Sequence, residues 1–470
     1  MVHVTGLPTP LCRTTSLQQE WAGDYTTATT EPADGEERKA LRSAHGINDA
    51  GLTTELAAAG TPATGAGVAS RIPRCLPGRG LEEDQVAAAP TTAVPTTPGL
   101  APFVRNLRGA TTEAQTTTIT RQFGRTLWQA ARARAQRATN PDLDDRPLYW
   151  ARLRAQSAIR AWQPRIANAP DIRRRAIPRL LEVLEETSRG LDEYTFPTQR
   201  TGGRGAEAPG TKRIVVSGFD PFGGAQGSID QANPSASAVL ALDGTLVDGR
   251  TSSGGVVRGR VEGVVFPVRY DDFDRGIVER AVGPHLAGAN PADMVMTISR
   301  GGSQFEVEEQ AARRRSSRAR DNAGRRGNTM ASGSSPVADA GPAIPGATSA
   351  DPEFIRTNAS ASTLAGLRGG IPRTGAIPEE TDVQELDPST GATARTATPT
   401  PGRLAVEGAG GGFLSNEIFY RVSRRRAATG AAVPVVHLHV PQLAGIDPPA
   451  ERRAVVDTVR NIVAGALPTL

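Results

Sequence analysis

The segment GGGFLSNEIFYRV, residues 410–422, sets Ser415 where a glycine-rich turn gives way to Ile418, Phe419 and Val422, spaced like the buried face of a helix. The first turn of a helix carries unsatisfied N–H groups and the positive end of the dipole, so a side chain there meets a field that favours negative charge. A nucleophile suits that position, and so does a plain N-capping serine. The chain has five histidines: His3 and His45 near its start, His285 at a helix end, and His437 and His439 in VPVVHLHV. Two residues apart on a strand, the last two share a face. The carboxyl end of an α/β strand is where ligands gather, which suits a general base as well as a structural histidine. Glu306, Glu308 and Glu309 follow Gly301 and Gly302, where a carboxylate could orient a histidine or favour the start of a helix. A serine, a histidine and a glutamate together would supply nucleophile, base and orienting group.

These residues need a scaffold, and residues 212–470 read as one. RIVVSGF (213–219), VEGVVFPV (261–268), DMVMTIS (293–299) and VPVVHLHV (433–440) are compact β-branched strands. Between and after them come a helix opened by Asn233-Pro234-Ser235, the helical stretch 271–286 and a closing amphipathic helix over 448–467. The expected fold class is α/β: three layers, α/β/α, with a mostly parallel twisted sheet. Residues 323–403, rich in Gly, Pro, Ser and Thr, read as a low-complexity insertion looped out around one helix near FIRTNASASTLAGLRGG. The arginine run at 313–326 holds seven arginines against Asp321 and reads as a solvated loop, or as a source of one anion-stabilising arginine.

Upstream the pattern weakens. Residues 1–112 carry clusters such as AAAPTTAVPTTPGLAP without a sustained period and read as a disordered tail. Residues 113–193 read as a small helical bundle with Trp128, Trp150, Trp162, Leu180, Leu181 and Leu184 on its buried face, and 194–211 as a linker. Between Arg121 and Arg179 that bundle has fourteen arginines and four aspartates, whose long stems suit covering its own apolar face. The whole chain is mildly basic, at +5, with only Lys39 and Lys212 as lysines, which argues against a nucleic-acid footprint. Cys12 and Cys75 have no ligand-like spacing. With no long apolar run and no signal-peptide pattern, a cytoplasmic protein is expected.

GFDPFGG (218–224), Asn233-Pro234-Ser235, FPVRY (266–270), GGGFLSNEIFY (410–420) and HVP (439–441), in that order, resemble the pyroglutamyl peptidase I (pyrrolidone-carboxylate peptidase) family over about residues 212–470. The resemblance implies an α/β cysteine peptidase that removes N-terminal pyroglutamate with a Cys-His-Glu triad. It matches the family cysteine to Ser415, the histidine to His439 and the glutamate to Glu308, with Glu309 as the alternative. Phe219 and Phe222 match the pair that sandwiches the pyrrolidone ring, Leu414 lies beside the nucleophile position, and Arg318 matches a site arginine. The pocket glutamine of the family is missing at Ile298-Ser299-Arg300-Gly301-Gly302-Ser303. The expectation is a peptidase-like hydrolase with a Ser/His/Glu triad acting on a peptide or small molecule, or else a catalytically silent relative that binds a ligand or protein. No metal or cofactor and no membrane are expected. A homo-oligomer and a protein partner for the N-terminal helices stay open.

Overall fold

The computed structural model describes residues 80–88, 97–163, 169–192, 196, 209–222, 230–288, 291–369, 377–444 and 448–470. It divides into two compact units, residues 1–123 with 150–184, and residues 124–149 with 185–470. His3, Cys12, His45 and Cys75 lie outside the described residues.

The first unit is helical. It contains α1 (Leu81–Ala88), α2 (Leu100–Gly109), the first half of α3 (Glu113–Ala135), most of α4 (Arg146–Ala161) and most of α5 (Ala169–Thr187). The first two helices fall inside the stretch 1–112 expected as a tail. The signal for α2 was present but short: Leu100, Phe103, Val104 and Leu107 follow helical spacing and are all buried. Phe103 stacks on Phe123 with centroids 4.3 Å apart, and Trp162 Nε1 donates to Leu107 O at 3.0 Å. On α1, the buried Glu83 receives Arg160 Nε at 2.9 Å.

The second unit holds the sheet. Its strands are β1 (Lys212–Phe219), β2 (Leu246–Arg250), β3 (Val256–Phe266), β4 (Met294–Arg300), β5 (Glu306–Glu308), β6 (Gln310–Ala312), β7 (Phe354–Arg356), β8 (Glu379–Glu380), β9 (Val383–Leu386), β10 (Thr393–Thr396), β11 (Leu404–Glu407) and β12 (Val435–Val440). The helices are α6 (Pro234–Leu242), α7 (Tyr270–Asp274), α8 (Ile277–Ala287), α9 (Ala361–Arg368), α10 (Leu414–Thr429) and α11 (Pro449–Ala466). Seven strands form one mixed sheet in the order β2-β3-β1-β4-β12-β5-β8. The centre, β3-β1-β4-β12, is parallel; β2 joins β3 and β5 joins β12 antiparallel. Helices cover both faces: α6 and α11 pack together over β1 and β2, and α8 packs with α10. This is the expected α/β class. The central strands are apolar on both faces, as Val215, Val216, Val264, Val295, Met296 and Leu438 show by being fully buried.

Two boundaries differ from the sequence reading. Residues 124–149 cluster with the sheet rather than with the other helices, because Trp128 Nε1 and Arg132 Nε both reach the Asp243 carboxylate, at 3.2 and 2.9 Å. The segment 323–403 contains the expected helix, α9, and also strands β7 to β10. With β11, β9 and β10 form a three-stranded antiparallel sheet, while β7 pairs with β6. Glycine and proline in this segment serve the turns between short strands, so composition alone understated its order. Of the expected linker, Phe196 is buried edge-on to His285 at 5.4 Å; residues 193–195 and 197–208 lie outside the described residues.

Candidate functional site

The antiparallel pairing of β5 with β12 sets Glu308 opposite His437 and Glu306 opposite His439. The two imidazoles share a face, 5.1 Å apart and edge-on. The Glu308 carboxylate lies between them: Oε1 contacts His439 Nδ1 and Oε2 is 4.0 Å from His437 Nε2. Glu309, just past the end of β5, pairs instead with Arg356. These different partners separate two glutamates that the local sequence left equivalent.

The two histidines differ in role. His437 is wholly buried, with Nδ1 at 2.7 Å from Thr297 Oγ1 and Nε2 at 2.9 Å from Ser299 Oγ, and Phe419 stacks on its ring at 5.6 Å. Burial pushes its pKa down to about 4, against the upward pull of Glu308, so it is neutral near pH 7. His439 is also buried, which would lower its pKa, but the Glu308 charge outweighs burial and the value is raised. For Glu308 burial works upward, and the charges of His439 and then His437 bring the carboxyl below its ordinary range. Glu308 and His439 thus favour each other's charged forms, whereas His437 stays neutral and hydroxyl-bound.

Ser415 is the second residue of α10, after Phe413 in extended conformation as the N-cap. The start of this helix is fixed by Asn416, whose Oδ1 receives Ala312 N at 2.7 Å and whose Nδ2 donates to Ala312 O at 2.9 Å. Ser415 Oγ donates to Gly410 O at 3.4 Å. Gly410 in turn packs on Glu308, and Gly301 packs on His439, where a β-carbon would lie 2.7 Å from both Cβ and Cγ of the histidine. The serine loop, the glutamate and the histidine therefore meet through backbone that only glycine permits. Among the described residues no hydrogen bond joins Ser415 to His439, and the N–H groups of Leu414, Ser415 and Asn416 have no protein acceptor.

The flanking residues are placed less evenly. Phe219, the last residue of β1, is turned into the core and lies 6.1 Å from Phe273. Phe222 stacks on Phe413 with ring centroids 5.3 Å apart. Leu414 is buried. Arg318 is held away in its own loop, donating to Met330 O and Asp339 Oδ1 at 3.1 Å each. Arg300 lies over the Phe222 ring, its guanidinium carbon 5.4 Å from the centroid.

Residues upstream of 212, together with Asn322, hold the described ends of the loop that follows β1. Arg189 Nη1 pairs with Asp220 at 2.7 Å, and Asn322 Nδ2 donates to Pro221 O at 2.9 Å. At the far end Arg146 Nη1 donates to Asp230 O at 2.9 Å, and the buried Asp145 accepts from Asn233 N at 3.1 Å. Sequence reasoning assigned none of these roles, because nothing local links Asp145 or Arg189 to a loop so far along the chain.

Glu308, His437 and His439 bring three ligand-type atoms within 4.8 Å of one another. Both nitrogens of His437 already face hydroxyls, so a cation there would have to displace Thr297 or Ser299. The donor set fits a carboxylate–histidine pair better than a metal centre.

Residues 80–182 match the family model of the PA0049 N-terminal domain, and residues 213–361 match that of the PA0049 C-terminal domain. The second match includes Arg300 and Glu308 and stops before Ser415 and His439. A Pseudomonas aeruginosa protein described as uncharacterized protein PA0049 is 34% identical over 215 residues, which is 42% of this chain and 36% of that protein. The chain thus spans about a third of the length of the curated relative it matches. Among solved structures, pyroglutamyl peptidase I from Bacillus amyloliquefaciens is similar at 17% identity, with a TM-score of 0.35, over 55% of this chain and 94% of that one. Pyrrolidone carboxyl peptidase from Thermococcus litoralis is similar at 15% identity, with a TM-score of 0.36, over 55% and 94%. Among the described residues no helix is long and apolar enough to cross a membrane.

Proposed function

We propose that the second unit is a hydrolase of peptide or related amide bonds in which Ser415 is the nucleophile, His439 the general base and Glu308 the group that orients and charges the histidine. The observation that carries this reading is the buried contact of Glu308 with His439 Nδ1, which leaves Nε2 as the nitrogen to act. Gly410 links that pair to the serine: its backbone lies against Glu308 and its carbonyl takes the Ser415 hydroxyl. The unpaired N–H groups at the start of α10 suit an oxyanion. The motifs GFDPFGG and FLSNEIFY, which resemble pyroglutamyl peptidase I, support an N-terminal acyl group as the part removed.

Serine in place of cysteine sets the chemistry. A thiol starts near pKa 8.5 and becomes a thiolate beside an imidazolium at a helix N-terminus. A hydroxyl under the same influence stays protonated, so His439 must take its proton during attack. The raised pKa of His439 reduces the neutral fraction available for that step. The hydroxyl also has to leave Gly410 O to meet the imidazole. That engagement favours a second reading, a binding protein that retains the cleft without turnover.

The test uses full-length protein, a fluorophosphonate probe and pyroglutamyl p-nitroanilide, with Ser415→Ala, Ser415→Cys and His439→Ala. Labelling at Ser415 that is lost in Ser415→Ala and His439→Ala supports the hydrolase. No labelling of the natural protein, with turnover appearing only in Ser415→Cys, refutes it in favour of the binding reading.

A further inference from the structure

Arg300 ends β4, and the next residue, Gly301, lies against the His439 ring. The side chain reaches over Phe222, which stacks on Phe413, two residues before Ser415. The guanidinium therefore stands at the aromatic pair beside the candidate triad. Its Nη1 is buried and has no hydrogen-bond partner, and among the described residues it makes no ion pair. Burial works against its charge and Asp145 works for it, yet a guanidinium stays protonated. Asp145 is itself an incomplete counter-charge: burial, and then Asp144, push its carboxyl well above the ordinary range, and its two oxygens are taken up by Asn233 N. A guanidinium N–H buried without a hydrogen bond is costly, and it persists where a ligand supplies the missing acceptor. The planar fork of arginine matches a carboxylate in two parallel hydrogen bonds.

We propose that Arg300 is the specificity-determining residue of this site and that it receives a carboxylate carried by the acyl group. The favoured ligands are then monoamides of short dicarboxylic acids rather than a neutral lactam. This rests on the hydrolase reading for turnover, but not for binding. In the reaction Ser415 Oγ attacks the amide carbonyl, the C–N bond breaks, and the departing amine takes the proton held by His439. Water then cleaves the ester, so amide and water become a dicarboxylate and an amine.

Calorimetric titration of glutarate and of neutral glutaramide into the full-length protein and Ser415→Ala reads binding apart from chemistry. The expected result is selective binding of glutarate, weakened roughly 10- to 100-fold in Arg300→Gln and less in Arg300→Lys, which keeps the charge. Thermal melting of each variant checks that it is folded. Equal or absent binding of the two compounds, or glutarate binding by folded Arg300→Gln as tight as in the natural protein, overturns the proposal. Turnover of glutaryl and pyroglutamyl p-nitroanilide separates the two readings. Arg300-dependent glutarate binding without turnover of either substrate, together with an unlabelled Ser415, upholds the anion site and removes the hydrolase. Turnover of both without a preference for the glutaryl group does the reverse.

Discussion

The α-carbon of Gly410 lies directly against the Glu308 carboxylate: a β-carbon at Gly410 would stand 1.9 Å from Oε2 and 2.0 Å from Oε1. The same glycine accepts the Ser415 hydroxyl through its carbonyl, so one residue fixes the spacing between the loop of Ser415 and Glu308.

Gly410→Ala is expected to displace either the loop or the carboxylate. A shift of about 1 Å at the reacting groups costs on the order of 100-fold in rate. Fluorophosphonate labelling of Ser415 should fall by that amount while the circular dichroism spectrum is retained. Undiminished labelling would show that the close approach has no functional weight.

Glu308→Gln removes the charge that raises the His439 pKa and leaves burial, which lowers it. The acid limb of the labelling rate against pH should therefore move to lower pH. The maximum should also fall, by a factor on the order of 1,000, because the amide no longer enforces the productive tautomer. An acid limb that stays in place would contradict the role given to Glu308.

His437 carries a pH dependence of stability rather than of rate. Its folded-state pKa is about 4 against an ordinary 6.5, so between those values the unfolded chain binds a proton that the native state does not. Stability should fall as pH drops through this window, by about 3 kcal/mol in all. In the same window His439, with its raised value, is protonated in both states and adds little slope, while Glu308, with its lowered value, loses its own contribution only toward the acid end. Urea titrations at a series of pH values should show a flatter profile for His437→Asn, and an identical profile would refute the assignment.

Arg189 is 1% exposed and serves Asp220, Glu185 and the Val265 carbonyl. Arg189→Met takes a cation away from the buried Asp220, while Glu185 keeps Arg269, and the cost should be about 3–5 kcal/mol in urea unfolding. Combining it with Asp220→Asn should recover part of that loss. If the two changes simply add, the pair does not couple the upstream segment to the loop after β1.

Much of the scaffold was legible locally. The strands around Val215, Val264, Val295 and Leu438 announce themselves as β-branched runs, and Asn233-Pro234 marks a helix start because its cap is made within the first turn. The placement of Ser415 at the head of α10 was legible for the same reason. The helix at Leu100–Gly109 was missed because its apolar stripe is only two turns long and lies in a stretch dominated by Thr, Ala and Pro.

By itself, then, the sequence determined the element types, the α/β class and the chemical kinds of group available, since these depend on neighbours a few residues away. Tertiary structure alone decided that Glu308 rather than Glu309 meets His439, that Phe413 stacks on Phe222, and that Arg300 lies over the Phe222 ring. Those outcomes depend on the register of β5 against β12 and on which strand ends lie side by side, and register is set by the packing of distant segments rather than by any local pattern.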